Sequence, residues 1–370
     1  MSVAESPRTL RIGIDARELQ GRRTGVGRYL LGLLKAWPED GDALILFSHG
    51  PAPLDLPPRR TPFVHRPLGD GGARGLVFQE RLLPKAAERE GLDCFFAPAY
   101  SCPLSLRVPR VTAIHDWSFF SLPEDFPFQD ALRRRVLVGQ SVGRSKLLLA
   151  LSDFTKREIL ARFPDAASRV RVVLPGADDD LPPSRATRGG TGPRLLAVGS
   201  ILNRRRIPEL LQAVAELRAR HGGLRLDVVG ENRTYPRLDI ARLVSRLELG
   251  GSVSFRGFLD EQGLADLYAQ ADVAVYLSEY EGFGLPVLEA LSRGVPVVTS
   301  VKPATGEVFR GAAALVDPAD ASAVARAIAG ILGDDGLRKE LVVTGRRLVE
   351  TLTWRRAAAA VRGALVEAAS

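Results

Sequence analysis

Glu281 and Glu289 bracket the stretch EGFGLPVLE, with seven residues and a Gly-rich turn between them. The segments DVAVYLS before it and PVVTS after it are short, apolar and β-branched, the pattern of buried strands, so the residues between must turn and begin a helix. Gly282 and Gly284 permit φ > 0 and a close approach of the backbone to a ligand. Pro286 suits a first helical turn, where its missing N–H costs nothing. A helix starting near Gly284 would direct the free N–H groups around Gly282, Phe283, Gly284 and Leu285, and the positive end of its dipole, at a diphosphate above the strand ends. Carboxylates beside phosphate are repelled unless they accept hydrogen bonds from neutral hydroxyls, which ribose and sugars supply. Taken alone, the two glutamates read more simply as a solvated loop residue and a helix-surface residue.

Three further groups could act with this stretch. Arg204, Arg205 and Arg206 follow Ser200 at the junction between the strand PRLLAVG and the helix PELLQAVAELRARHG. Guanidinium forks match phosphate oxygens there, although surface charge is the plainer alternative. His115 and Asp116 end the strand VTAIHD, at the carboxyl edge where open α/β sheets place their ligands, although a lone His is more often structural. Gly25 and Gly27 open the helical pattern GVGRYLLGLLKAW, after the strand RIGID and a loop carrying Arg17, Arg22 and Arg23. Amides and guanidiniums would converge at that helix start, or the glycines form a mere helix cap. A dinucleotide fingerprint needs a third glycine where Leu30 stands, so a Rossmann dehydrogenase is disfavoured.

Behind these groups the chain alternates short apolar strands with amphipathic helices, which predicts parallel sheets covered by helices on both faces. With 370 residues, two domains are expected. Residues 1–177 form the first; the Gly-, Pro-, Ser- and Asp-rich stretch 178–193 is a linker; residues 194–352 form the second; residues 353–370 form a last helix. Within the linker, Asp178, Asp179 and Asp180 read as a solvated turn rather than a metal site. Cys94 and Cys102 lack a zinc-ligand spacing and are expected as free buried thiols. The segment WSFFSLPEDFPFQDALRRRVLVG sets Phe119, Phe120, Phe126 and Phe128 beside Arg133, Arg134 and Arg135. It suits an acceptor region or an anionic membrane surface, or else core aromatics beside a solvated face. The net charge of +8 fits phosphate-bearing substrates or anionic lipid, and no nucleic-acid partner is expected. The first residues lack a signal-peptide pattern and no apolar run is long enough to span a bilayer, so a cytoplasmic protein is expected.

The uninterrupted EGFGLPVLEA, with its E-x7-E spacing, resembles the signature of retaining glycosyltransferases of family 4, and the likeness extends over nearly the whole chain through GVGRY, HD, the arginine run and Glu307. The resemblance implies a GT-B fold, in which two Rossmann-like domains face each other across a cleft and the final helix crosses back to the first. It implies transfer of a hexose from a nucleoside-diphosphate sugar to an acceptor hydroxyl, without cofactor or metal. Glu281 and His115 would lie by the sugar, with Asp116 orienting His115, and Glu289 by the ribose. Gly25, Gly27, Ser200, Arg204, Arg206 and Gly282 to Leu285 would bind the donor. The family usually has an Arg-Lys pair where this chain has arginines, so Arg205, or Arg206 if the alignment shifts by one, takes the place of the Lys. The implied acceptor is a glycan or lipid-linked glycan of a bacterial surface polysaccharide such as O-antigen or capsule. The alternatives are a nucleotide-sugar epimerase or sugar phosphorylase using the same cleft, or a non-catalytic nucleotide-binding protein.

Overall fold

The structure, a computed structural model, describes residues 9–21, 24–39, 41–51, 54, 56–69, 75–178 and 192–370. Arg22, Arg23, Asp179 and Asp180 lie outside the described residues, as does most of the expected linker. The chain divides into two compact units, Met1–Trp117 with Leu132–Gly176 and Trp354–Ser370, and Ser118–Ala131 with Ala177–Thr353. The aromatic segment 118–131 thus groups with the second unit and not with the first domain that contains it in sequence.

In the first unit, β1 (Arg11–Asp15), β2 (Ala43–Ser48), β3 (Val64–Pro67), β4 (Cys94–Ala97), β5 (Arg110–Ile114), β6 (Leu147–Ala150) and β7 (Val170–Val172) form one parallel sheet, ordered β3-β2-β1-β4-β5-β6-β7. Strands β4 and β6 are buried at every position, as expected of continuous apolar runs covered on both faces. Cys94 and Cys102 are free, buried thiols. The helical pattern after Leu76 opens as a widened π-type turn, Phe78–Leu82, before the helix Leu83–Arg89. Pro84 has no N–H to return to the carbonyl of Glu80, which accepts from Ser105 Oγ at 3.4 Å instead.

Several contacts build the last helix, Trp354–Ala369, into this unit, an ion pair between Arg171 and Glu367 among them. Trp354 packs on the helix Gly25–Lys35 where Gly32 leaves no side chain, since a Cβ there would lie 2.2 Å from the indole. Arg362 donates to Asp42 through Nε at 2.7 Å and Nη2 at 3.1 Å.

In the second unit, β8 (Arg194–Val198), β9 (Arg225–Val229), β10 (Val253–Phe255), β11 (Val273–Tyr276), β12 (Val297–Ser300) and β13 (Ala314–Val316) form a second parallel sheet, ordered β10-β9-β8-β11-β12-β13. Leu195, Leu226, Val273 and Val298 meet Leu211 and Ile328 of the covering helices in one core. In each sheet the strand order reverses beside the first strand, between β1 and β4 and between β8 and β11. Doubly wound sheets bind ligands at the carboxyl ends of such strand pairs.

Candidate functional site

At the carboxyl ends of β8 and β11 a cavity is lined by Gly199, Ser200, Arg205, Ile207, Tyr276 and Leu277, among others. Two glycines shape the strand ends beside it. Gly199 has φ 130° and Gly230 has φ 148°, and a Cβ on Gly230 would lie 2.1 Å from the carbonyl oxygen of Gly199. Backbone thus packs on backbone where β8 and β9 end, and only glycine fits.

The arginines follow in a 3-10 turn, Asn203–Arg205, which is tied across to β11 by the Glu279 N–H donating to Arg204 O at 2.9 Å. Arg206 takes a left-handed conformation, φ 48°, at the start of the helix Ile207–Arg218. Its Nη1 donates to Glu209 at 2.8 Å, and its Nε and Nη2 lie 2.9 Å from Glu279 Oε1. Three of its nitrogens are therefore engaged by carboxylates, which fits a residue that fixes the turn better than the donor-binding role expected from the sequence. Arg204 and Arg205 point elsewhere. Arg205 stacks on Tyr276, with the guanidinium carbon 4.2 Å from the ring centre, and its Nε lies 2.9 Å from Glu281 Oε1, an ion pair without hydrogen-bond alignment. Arg204 Nε lies 3.9 Å from the same oxygen. Of the two candidates for the place of the usual Lys, Arg205 lines the cavity, whereas Arg206 is held by Glu209 and Glu279.

Glu281 is buried, with 8% of its surface exposed. Its Oε1 accepts from Ser278 Oγ at 2.8 Å and faces both arginines. Oε1 is thus committed to protein partners. Enclosure drives the Tyr276 phenol above its ordinary pKa range, and the neighbouring Glu281 carboxylate adds to this against the opposing pull of Arg205 and Arg204. Asp125, from the segment that joins this unit, lies beside Arg204, and Ser121 Oγ is 3.5 Å from Tyr280 OH. Burial raises the Asp125 carboxyl, and its Oδ2 is enclosed.

Gly284, at φ 107°, caps the helix Leu285–Ser292, as the sequence predicts, and a Cβ there would come within 2.9 Å of Thr305. Gly282 is buried in the same turn and Leu285 is the first helical residue. The Phe283 side chain is 3% exposed and packs edge-on against Phe309, which leaves its backbone to meet a ligand, as the sequence reading has it. Glu289 is partly exposed and accepts from Tyr268 OH at 3.4 Å, while Arg293 covers the Tyr268 ring at 4.6 Å.

In the first unit, Thr24 caps the helix Gly25–Lys35 by accepting from Gly27 N at 3.4 Å, with Gly25 exposed and Gly27 buried. Arg17 does not contribute to an anion site there. Asp15 takes its Nε at 2.9 Å and Nη2 at 2.6 Å, and Gln79 Oε1 accepts from Nη2 at 3.1 Å. His115 follows β5 as predicted and stands edge-on to Tyr29, while Tyr100, at φ 62°, donates through its hydroxyl to Asp116 at 3.2 Å. The contact of 2.7 Å between His115 Nε2 and Pro98 O assigns the tautomer, because a carbonyl only accepts: Nε2 carries the proton and Nδ1 is the acceptor. The orienting partner is therefore Pro98 at Nε2, and Asp116 is bonded instead to Tyr100.

Enclosure lowers the His115 pKa, against the smaller opposing effects of Pro98 and Asp116. The unfolded imidazole titrates near about 6.5, so the unfolded state binds more protons below that pH and folding stability falls as pH drops. Substitution His115→Gln should flatten the decline in urea midpoint between about pH 7 and 5. Equal slopes in the two proteins would contradict the assignment of a depressed, neutral His115.

Tyr276, Ser278, Tyr268, Glu279 and Tyr100 were not legible as site residues. A lone Tyr at the end of the otherwise aliphatic run DVAVYL was the available signal for the first.

Comparison with known proteins divides the chain between residues 181 and 184. Residues 23–181 match the family described as Glycosyltransferase Family 4, and residues 184–348 match Glycosyl transferases group 1. The chain is 30% identical over 356 residues to O-antigen chain mannosyltransferase B of Escherichia coli, covering 90% of this chain and 93% of that one. It is 32% identical over 217 residues to an MMP alpha-(1->4)-mannosyltransferase of Mycolicibacterium hassiacum, covering 57% of this chain and 52% of that one. Among solved structures, sucrose-phosphate synthase from Thermosynechococcus elongatus superposes with a TM-score of 0.79 at 22% identity, covering 97% and 99% of the two chains. Anabaena Alr3699/HepE in complex with UDP and glucose gives 0.73 at 18% identity, covering 96% and 99%.

Proposed function

Since the chain belongs to glycosyltransferase family 4 and has the GT-B fold, we propose that it is a retaining hexosyltransferase using a nucleoside-diphosphate sugar, a mannosyl donor first among the candidates. The observation that carries this reading is the Arg204–Arg205 turn held at the end of β8, with Arg205 lining the cavity beside Gly199 and Ser200. In the proposed reaction the bond from the sugar C1 to the diphosphate oxygen breaks while the acceptor oxygen bonds C1 on the same face. The acceptor proton passes to the departing phosphate oxygen. Arg204, Arg205 and the N–H groups near Gly284 and Leu285 stabilise the charge that develops there, with no metal required. Glu289 accepts from ribose hydroxyls. In the first unit, His115 Nδ1 is the atom available to a sugar hydroxyl.

The 30% identity to an O-antigen mannosyltransferase supports a bacterial surface-glycan acceptor. No described helix is long and apolar enough to cross a membrane. Contact with the inner membrane surface is supported by the helix Phe128–Arg144, where Phe128, Leu132 and Val136 are 77%, 50% and 49% exposed at four-residue spacing. Arg133 and Arg134 are exposed beside them, a pairing of apolar and cationic side chains suited to a lipid-linked acceptor at an anionic surface.

The test is a thermal-shift panel of UDP, GDP, ADP and dTDP, with and without EDTA, on the wild type and Glu289→Ala. A nucleotide at about a hundred times its dissociation constant should stabilise by roughly 2.7 kcal/mol. One nucleotide is expected to act regardless of EDTA and to lose its effect in the variant. A shift by none, or only with added metal, would overturn the reading. Isomerised donor without acceptor, a requirement for inorganic phosphate, or binding without any transfer would each replace it by an epimerase, a phosphorylase or a binding protein.

A further inference from the structure

Arg205 is fixed on three sides. The Tyr276 ring lies under its guanidinium at 4.2 Å, Glu281 Oε1 faces Nε at 2.9 Å, and Gly199 lies at its outer end, where a Cβ would come within 3.1 Å of Nη1. Glu281 is itself fixed by Ser278 at 2.8 Å. Tyr276 is 5% exposed, and its neighbours along β11 are aliphatic, so a Val or Leu would satisfy the strand equally well. The buried tyrosine that stands here in place of an aliphatic adds two things, a π face for a cation and a hydroxyl that hydrogen-bonds to Glu281.

We infer that Tyr276 is a positioning residue for donor binding: its ring is the platform that holds the Arg205 guanidinium flat at the end of β11, with its outer nitrogens directed at the diphosphate of the donor. The inference rests on the reading of the cavity as a nucleoside-diphosphate site. The platform suits an Arg rather than a point-charged Lys, because only the planar fork can stack while still offering N–H groups at its edge. It also gives Glu281 a part in the site without contact with the sugar. The carboxylate neutralises the inner side of the guanidinium and leaves the outer edge for phosphate.

Two measurements test this. Calorimetric titration with UDP, GDP, ADP and dTDP should show Tyr276→Leu weakening the bound nucleotide by about 2- to 30-fold, with Tyr276→Phe losing less, because the ring is kept and only the hydroxyl bond to Glu281 goes. In an Arg205→Met background, Tyr276→Leu should add no further loss, which a merely structural role for the ring would not produce. Independently of any nucleotide, the Arg205 Hε resonance should be displaced upfield by the ring in the wild type and in Tyr276→Phe, and return to the ordinary arginine position in Tyr276→Leu. An unshifted Hε in the wild type, or full affinity in Tyr276→Leu, overturns the inference while leaving the donor site intact. A shifted Hε in a wild type that binds none of the four nucleotides overturns the donor reading and this role with it.

Discussion

Asp42→Ala is expected to destabilise the first unit by about 3–5 kcal/mol, the cost of removing one partner from a buried ion pair. Asp42 has no exposed surface, and Arg362, from the last helix, retains 12% side-chain exposure. The same carboxylate also accepts from Leu10 N at 3.0 Å and from Trp37 Nε1 at 3.3 Å, so the variant takes a buried counter-charge from a guanidinium and an acceptor from two neutral donors. The double variant Asp42→Ala with Arg362→Met should recover part of the loss, because an apolar pair in a buried site costs less than an unpaired charge. Urea unfolding followed by tryptophan emission reads the effect without interference from the second unit, since Trp37, Trp117 and Trp354, the chain's three tryptophans, all belong to the first. A change below about 1 kcal/mol would mean that water reaches Arg362 and that the pair behaves as a surface one.

That ion pair joins residues 320 positions apart, which marks the limit of what the sequence discloses. The strands were legible because a parallel sheet covered on both faces needs uninterrupted apolar runs, and LLLA and CFFA can be little else. The helix start at Gly284 was legible because the turn chemistry is local, a glycine before a proline. What the glutamates and arginines do was not, because it depends on which side chains the sheet brings together. Glu281 looked available for hydroxyls until Ser278 and Arg205 were seen on its Oε1. Arg205 and Arg206 both qualified in sequence for the place of the Lys, Arg206 only if the alignment shifts by one, yet the left-handed backbone at Arg206 sends its side chain to Glu279 and Glu209 and leaves Arg205 on Tyr276. Arg17 resembled a phosphate ligand for want of one fact, that Asp15 two residues earlier turns to meet it. The grouping of segment 118–131 with the second unit had no local signal at all, since Asp125 and Arg204 meet only after both elements fold.

The largest functional effect is expected at Arg205. Replacing it by methionine keeps the apolar stem but removes the guanidinium, and with it both the stacking on Tyr276 and the positive charge of the cavity wall. If the leaving diphosphate is stabilised there, turnover should fall by about 10²- to 10³-fold, the usual loss for one preorganised charge-stabilising donor. The comparison that gives this number meaning is Arg206→Met. Arg206 is bound to Glu279 and Glu209, so its loss should appear chiefly as lower stability of the second unit, with turnover in the surviving folded enzyme reduced far less. Arg205→Lys separates charge from geometry: it retains the cation but neither the stacking plane nor the Nε beside Glu281, and should recover only part of the rate. Glu281→Gln provides the converse, because an Arg205 without its counter-charge keeps its full positive charge for the donor. Nucleotide affinity in that variant should hold or rise even as the fixed orientation needed for turnover is lost. Rates are measured with the donor that the nucleotide panel identifies, at saturating and limiting concentrations to separate kcat from KM. If Arg205→Met stays within about threefold of wild type while Arg204→Met falls by the larger factor, the transition-state charge is held by Arg204, and the stacked arginine is a structural neighbour of the site.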